Sequence, residues 1–403
     1  MKAGICYMFV LLLLLAAGCD RKVSMEREQQ DSFRLEASGL KLQAASPELQ
    51  AASPMRQASG CKVEGRRDYE IPGYVEPLVN NSLVVSGTSA EIRVRLDKNP
   101  LEEALRKYGQ TSGEAFFSAT WDNDLLDYTD HYFTNGAGFE LIHPALGSSP
   151  IARMLPGLSY SINYYGLTLV QNMYTPLKLN KPEILVGDRP FASYLVMGHQ
   201  RISLSPEKNR RLQSELLLGV IGPGSFGNIS QDMIHDETPV GWVYQVENDF
   251  IANYGIRFDQ GLYSKNGIEI AAVAAAQAGT LYDNISAGFY FQAGRANDRY
   301  SSVFQTTEPQ KPFGKRIRYY FSLEMMNRMV MYDATLQGGM FNKESIYTID
   351  NKNIERYVFS GTAGFGFSLG KYSLEISQVF LSPEFEGGRK HLWIRIKNIV
   401  RIN

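Results

Sequence analysis

The chain has 403 residues and is nearly neutral, with 41 Lys and Arg residues against 42 Asp and Glu residues. This balance argues against a protein that binds nucleic acid through bulk positive charge. Tyr (23), Phe (21) and Gly (36) are abundant, and this mixture favours strands and tight turns, hence an all-β fold. Cys6, Cys19 and Cys61 are too few for a disulfide framework, and no cysteine follows them.

Residues 1–19 have the layout of a secretory signal peptide. Lys2 provides a positive charge, Ile5–Ala17 is almost entirely apolar, and small residues follow. The run Leu15–Cys19 is similar to a bacterial lipobox, in which Cys19 would be acylated. The alternative is an ordinary cleaved signal peptide in which Cys19 has no role. Either reading predicts export from the cytoplasm.

Residues 20–112 form a polar N-terminal extension. The sequence LQAASP occurs twice, at Leu42–Pro47 and Leu49–Pro54. A repeat of this length could indicate a coiled coil, but the proline in each copy would break a helix. We therefore predict a flexible linker before the main domain.

Residues 113–403 contain no apolar stretch of the roughly 18 residues that a membrane-spanning helix needs. They contain twelve long runs instead, and several alternate with the period of a strand, as in Tyr319–Met325 and Tyr357–Phe367. The predicted strands are 114–122, 132–142, 157–173, 191–205, 210–222, 250–264, 265–280, 282–295, 315–333, 354–369, 371–383 and 388–401.

The connections between these runs suggest where the strands lie. Some turns are short, such as 265–267 and 370–371, and we expect the longer loops 143–156, 174–190, 223–249, 296–314 and 334–353 all on the opposite side. Short turns on one side and long loops on the other are typical of outer-membrane barrels. We predict a 12-stranded antiparallel transmembrane β-barrel. The alternative is a soluble β-sandwich or β-helix.

Two polar groups are candidates for chemistry. Asn123 and Asp124 end the first predicted strand, and Asp127, Asp130 and Thr134 follow them. Carboxylate and amide oxygens suit Ca²⁺, although such clusters also cap backbone groups beside turns.

The second group lies in the loop Ile221–Phe250, where Asn228 or Ser230 could cap a short helix. Gln231 and His235 then fall at positions i and i+4 on one face. Histidine is the usual general base near neutral pH, and a glutamine could orient its water or donate to an oxyanion. A solvated surface histidine is the alternative. Because no serine or cysteine nucleophile motif is present, hydrolysis would use water.

Several ordered motifs resemble the lipid A 3-O-deacylase family (LpxR type), calcium-dependent enzymes on a twelve-stranded outer-membrane barrel. The matching pieces are Asn123-Asp124, Tyr132–Gly136, Gln171–Pro176, Lys181–Glu183, Gly187–Ala192, Gly219–Pro223, Gln231 with His235, Trp242 with Gln245, Glu247 and Asn248, and Thr335–Gly338. They cover about residues 115 to 403.

The resemblance implies hydrolysis of the 3′-linked ester acyl or acyloxyacyl group of lipid A in lipopolysaccharide. It implies that His235 is the base, that Asp124 and Asn123 are calcium and active-site residues, and that Thr134 and Gln231 also belong to the site. It further implies a site on the extracellular side of the outer membrane, and we expect a monomer.

Substrate contacts are expected from loop residues. Lys178 or Lys181 could pair with a lipid A phosphate as a point charge, and Glu237 or Asp236 is the candidate for the acidic residue that the family has after its base. Asp188 and Arg189 could form a structural ion pair. The competing functions are a non-enzymatic barrel, either a porin or a scaffold, and a barrel phospholipase.

Overall fold

The computed structural model describes residues 109–124, 132–178, 183–234, 240–307 and 311–402. The signal peptide, the lipobox at Cys19 and the extension up to residue 108 lie outside these ranges. None of the described helices is both long enough and apolar enough to cross a membrane.

The described residues form thirteen strands, two short α-helices and seven 3₁₀ turns. The strands are β1 Gln110–Thr111, β2 Phe116–Asn123, β3 Tyr132–Ile142, β4 Ile162–Thr175, β5 Ala192–Ser205, β6 Arg210–Ile221, β7 Asp249–Lys265, β8 Ile268–Gly279, β9 Tyr282–Arg295, β10 Ile317–Asp333, β11 Tyr357–Leu369, β12 Tyr372–Leu381 and β13 His391–Arg401. The α-helices are α1 Gly227–Ile234 and α2 Ala334–Gln337. The 3₁₀ turns are Pro144–Ser148, Ile151–Met154, Pro206–Lys208, Pro223–Ser225, Val240–Tyr244, Phe313–Lys315 and Asn351–Asn353.

Strands β2 to β13 form a closed antiparallel barrel. Each strand pairs with the next along the chain, and β13 pairs with β2, which closes the sheet. The twelve predicted strands are therefore confirmed, with boundaries displaced by a few residues. The short strand β1 lies beside the start of β4 in a parallel pairing and does not belong to the barrel circuit.

Because every strand reverses direction, the connections alternate between the two ends of the barrel. We call the end with connections 124–131, 176–191, 222–248, 280–281, 334–356 and 382–390 the loop end, and the end with connections 143–161, 206–209, 266–267, 296–316 and 370–371 the turn end. The expectation that all long loops share one side is wrong for 143–156 and 296–314. Both lie at the turn end, since strand parity and not loop length decides the side.

The outer surface of the barrel is apolar. Large side chains at alternating positions are exposed there, among them Leu169, Phe289, Met325 and Phe365. The alternation predicted for β10 and β11 is present, and Tyr319, Tyr357 and Phe367 belong to the exposed face. Such a surface suits contact with lipid hydrocarbon.

The lumen is polar in the middle and has apolar clusters toward both ends. Ion pairs line it: Arg395 and Asp122 are register partners on the adjacent strands β13 and β2 and lie 2.7 Å apart, while Arg257 on β7 reaches Glu324 on β10 at 2.5 Å. At the turn end Phe304 from the β9–β10 loop enters an apolar cluster and packs on Phe116, with ring centroids 5.0 Å apart. At the loop end Phe133, Trp393, Tyr174 and Tyr194 form an aromatic layer. A cavity of about 330 Å³ lies inside the barrel and is lined by Asp122, Glu140 and Arg395 among others.

Candidate active site

The predicted site residues of β2 and β3 point away from the lumen. Asp122, Gly136, Asn172 and Tyr194 line the central cavity. The residues next to them in the sequence form a second row across strands β2 to β5. From one strand to the next, the register partners in this row are Asn123, Asn135, Met173 and Ser193. Successive side chains of a strand point to opposite faces, so this row lies on the outer wall. All four residues are nevertheless buried.

The β6–β7 loop covers this row from outside. Ser225 contacts Ser193 through their hydroxyls, 2.5 Å apart, and its carbonyl accepts a hydrogen bond from Gln171 Nε2 at 2.5 Å. Ser230 in α1 donates to Gln171 Oε1 at 3.1 Å. A side chain at Gly227 would collide with Ser193, so this glycine allows α1 to approach the wall closely. The result is a buried polar layer between the barrel wall and α1.

An apolar contact fixes the far side of this layer. Met173 on the wall packs with Phe191 and Trp242, and the two rings have centroids 5.1 Å apart. Phe191 lies just before β5, and Trp242 lies in the 3₁₀ turn that follows α1. The loop is therefore attached to the wall at both sides of α1.

Gln231 has a fixed amide orientation inside the layer. Its side chain is only 1 % exposed, and Trp242 Nε1 donates a hydrogen bond to its Oε1. Its Nε2 is buried and has no hydrogen-bond partner among the described residues. A buried N–H group without a partner is costly, which makes Gln231 Nε2 a donor available to a bound molecule.

A β-bulge places Thr134 beside Asn123. The register between β3 and β4 shifts between Phe133 and Asn135, so Thr134 is the extra residue. Asn123 Nδ2 donates to Thr134 O at 3.2 Å, and the Thr134 hydroxyl lies 2.5 Å from that of Thr175. Asp124 follows directly and is buried.

The structure thus describes and buries four of the predicted site residues, Asn123, Asp124, Thr134 and Gln231. His235, Glu237 and Lys181 lie outside the described residues. The predicted helix exists, but it begins at Gly227, so Asn228 and Ser230 lie within it and do not precede it as caps. The roles of Trp242, Ser193 and Thr175 were missed, although the two-residue period of the strands could have placed Ser193 on the wall.

Lys178 is exposed at the loop end. It lines a small crevice with Tyr244, Gly241 and Tyr347. Tyr347 accepts from Gly187 N at 2.8 Å and donates to Asp188 O at 2.7 Å, and burial raises the pKa of its hydroxyl, so the hydroxyl stays protonated. Lys178 is therefore free to reach solvent beside an ordered loop.

The expected ion pair between Asp188 and Arg189 is wrong. Asp188 accepts hydrogen bonds from the backbone N–H groups of Leu177 and Arg189, at 2.8 and 2.9 Å. The Arg189 guanidinium instead pairs with Glu384 at 3.0 Å, because its side chain turns toward the β12–β13 connection.

The donor atoms at the end of β2 determine whether calcium fits this site. Among the described residues no group of three or more His, Cys, Asp or Glu side chains could hold a metal ion. Asp124 and Asn123 do supply the hard oxygen donors that Ca²⁺ prefers. Asn123 ends β2 and Asp124 begins the connection 124–131, most of which lies outside the described ranges. The chemistry of these two residues fits calcium.

Known proteins agree with this architecture. The closed barrel, its apolar outer surface and the polar layer on its wall define a transmembrane β-barrel protein. The chain belongs to the family described as "Outer membrane protein LpxR", which matches residues 101–397, and this confirms the resemblance seen in the motifs.

Solved structures support the fold. LpxR from Salmonella typhimurium is 19% identical, with a TM-score of 0.57, and the match covers 71% of this chain and 99% of that chain. The β-domain of the Bordetella autotransporter BrkA is 10% identical, with a TM-score of 0.37, and covers 72% and 99%. This second likeness is too weak to support a conclusion. The comparison with curated proteins gives no match.

Proposed function

We propose that this chain is a calcium-dependent outer-membrane hydrolase that removes the 3′-linked ester acyl group of lipid A. The observation that supports this best is the buried polar layer on the lipid-facing side of the wall. Exposed apolar side chains surround it on the covering loop, among them Phe226, Ile229 and Val243. Acyl chains could therefore stay in apolar surroundings while the ester meets polar groups.

The reaction uses water as the nucleophile. His235 takes a proton from a water molecule, and the water oxygen attacks the ester carbonyl carbon. Gln231 Nε2 donates to the oxyanion that forms, while Asn123 and Thr134 line the same layer and position the reacting groups. The bond between the carbonyl carbon and the 3′ oxygen then breaks, and His235 returns its proton to that oxygen. The products are a free carboxylic acid and a sugar hydroxyl.

Loop residues and calcium complete the proposed site. Asp124 and Asn123 would hold calcium, which when bound supplies positive charge that stabilises an oxyanion. Lys178 and Lys181 offer point charges for a lipid A phosphate, and Glu237 is the candidate acidic neighbour of His235. We place the site on the extracellular side of the outer membrane, in a monomer.

The apolar clusters inside the barrel favour this hydrolase over a porin. Phe304 belongs to an apolar cluster at the turn end, and an aromatic layer lies at the loop end. A porin needs a continuous aqueous channel, and apolar side chains at both ends do not favour one.

Lipid A from cells that express the protein is expected to lose the mass of its 3′-linked acyl or acyloxyacyl group. Mass spectrometry of lipid A, with and without a calcium chelator, measures this loss. We expect the chelator to abolish the reaction and excess calcium to restore it. Unchanged lipid A would contradict the proposal, and shortened glycerophospholipids in the same extract would indicate a phospholipase.

Replacement of Trp242 by phenylalanine tests the orientation of Gln231. Trp242→Phe keeps an aromatic ring against Met173 and Phe191 but removes the N–H that holds the Gln231 amide. We expect kcat to fall about five- to tenfold, the worth of one hydrogen bond, with little change in KM. Trp393→Phe is the matched control, because Trp393 Nε1 in the lumen has no described partner. Equal kcat values for both variants would rule out this role.

A further inference from the structure

Six basic residues gather at the turn end on the side of β9–β12. They are Arg295, Lys311, Lys315, Arg316, Arg318 and Lys371, and we call them the cationic patch. The whole chain carries a formal net charge of −1. The excess of positive charge is therefore local to this surface and does not reflect the charge of the whole chain.

Contacts between neighbouring segments show that the patch is continuous. Arg316 Nε donates to Lys311 O, and Arg318 Nη1 donates to Lys315 O at 3.0 Å. The turn that carries Lys371 is attached to the same segment, because Gly370 N donates to Arg316 O at 3.2 Å. Arg295 lies beside this segment on the adjacent strand β9, because it is the register partner of Tyr319 on β10.

The positive charges of the patch have no acidic partners among the residues that the structure describes. None of the six side chains makes an ion pair there, whereas lumen arginines such as Arg257 and Arg395 do. Asp298 lies in the same connection. Its carboxylate accepts hydrogen bonds from Tyr300 N at 2.9 Å and from the Ser301 hydroxyl at 2.9 Å, so it is engaged within its own loop. Within the described ranges, no carboxylate neutralises the patch, so its charge is available for an external anion.

Exposed aromatic residues border the patch on the outer wall. Phe313 lies between Lys311 and Lys315 and is 65 % exposed, while Tyr319 and Tyr372 are 56 and 57 % exposed. Lys371 Nζ lies 5.6 Å from the centroid of the Tyr372 ring. Aromatic rings next to basic side chains mark the level of lipid headgroups in membrane proteins.

We propose that the cationic patch binds the headgroup of an anionic phospholipid at the turn end. The acyl chains of that lipid would lie along the apolar wall of β9–β12, and its phosphate would meet Lys315, Arg316 and Lys371. Outer-membrane barrels have their short turns in the periplasm, so the bound lipid belongs to the periplasmic leaflet. This site lies at the opposite end of the barrel from the polar layer and does not depend on the proposed hydrolysis.

Native mass spectrometry of the detergent-solubilised full chain tests the proposal. Phosphatidylglycerol and phosphatidylcholine with identical acyl chains are added in parallel, and retained lipid is measured at rising ionic strength. We expect phosphatidylglycerol to be retained in preference, and salt to weaken its binding. In the triple variant Lys311→Gln, Lys315→Gln, Lys371→Gln, the affinity for phosphatidylglycerol should fall about tenfold or more.

A second triple variant removes the same charge elsewhere. Lys208→Gln, Arg210→Gln, Lys352→Gln changes exposed residues outside the patch and should bind phosphatidylglycerol like the unmodified protein. Heat-dependent mobility in electrophoresis shows that each variant has a folded barrel. Equal binding of the two lipids by the unmodified protein, or equal losses in both triple variants, would overturn the proposal.

Discussion

The variant His235→Ala is expected to deacylate lipid A about 10²- to 10⁴-fold more slowly, the usual contribution of a general base. His235 follows Gln231 by four residues in the sequence, the spacing at which two residues share one face of a helix. Gln231 is fixed in the buried layer, and its Nε2 has no hydrogen-bond partner within the described part of the chain. A base at this position would deprotonate water next to that donor. The rate of acyl loss from lipid A, measured by mass spectrometry, tests the expectation.

His143→Ala provides the control for this experiment. His143 is exposed at the turn end, where its Nδ1 accepts from Ala145 N at 3.2 Å. We expect this variant to keep full activity and to fold like the unmodified protein. A His235→Ala variant that kept full activity would remove the basis for assigning hydrolysis to this loop.

The variant Arg189→Met is expected to lower the free energy of unfolding by about 3–5 kcal/mol, the cost of removing one partner from a buried ion pair. The Arg189 side chain is completely buried. It pairs with Glu384, donates to the Thr335 hydroxyl at 2.9 Å and lies 4.3 Å from the centroid of the Tyr174 ring. It therefore links three connections at the loop end, namely 176–191, 334–356 and 382–390. Urea unfolding followed by tryptophan fluorescence measures the change.

A double-mutant cycle separates the ion pair from the packing of Arg189. Glu384→Gln alone should cost less, because Glu384 keeps some exposure to solvent and glutamine can still accept a hydrogen bond. In the double variant Arg189→Met, Glu384→Gln, the two losses should not add, since they remove one shared interaction. Strictly additive losses would show that Arg189 acts through its contacts with Thr335 and Tyr174 and not through Glu384.

The strands of this fold were predictable because alternation with a period of two is a local property of the sequence. The runs at Tyr319–Met325 and Tyr357–Phe367 show it directly. The side on which each loop lies was not predicted correctly, since 143–156 and 296–314 were assigned from their length. The end of the barrel at which a connection lies depends on the number of strands before it. A local sequence pattern does not contain that number.

Part of the site was also predictable. The sequence pattern predicted a short helix that contains Gln231, and it predicted Asn123 and Asp124 at the end of a strand; both features are present. The hydrogen bond from Trp242 to Gln231 and the contact between Ser193 and Ser225 could not be predicted, because they form only when the covering loop folds onto the wall. Arg189 and Glu384 are 195 positions apart in the chain, and no local pattern indicates such a partner.

The β-bulge at Thr134 adds a residue to the candidate site, and the pairing of β3 with β4 continues on both sides of it. Phe133 faces the lumen with Tyr174, and Asn135 faces outward with Met173, so these two residues are already in phase without the residue between them. Thr134 is thus an insertion that adds a hydroxyl to the outer wall at no cost to the pairing of the strands on either side. Deleting this one residue should leave the barrel able to close, which makes the position suitable for separating chemistry from assembly by protein engineering.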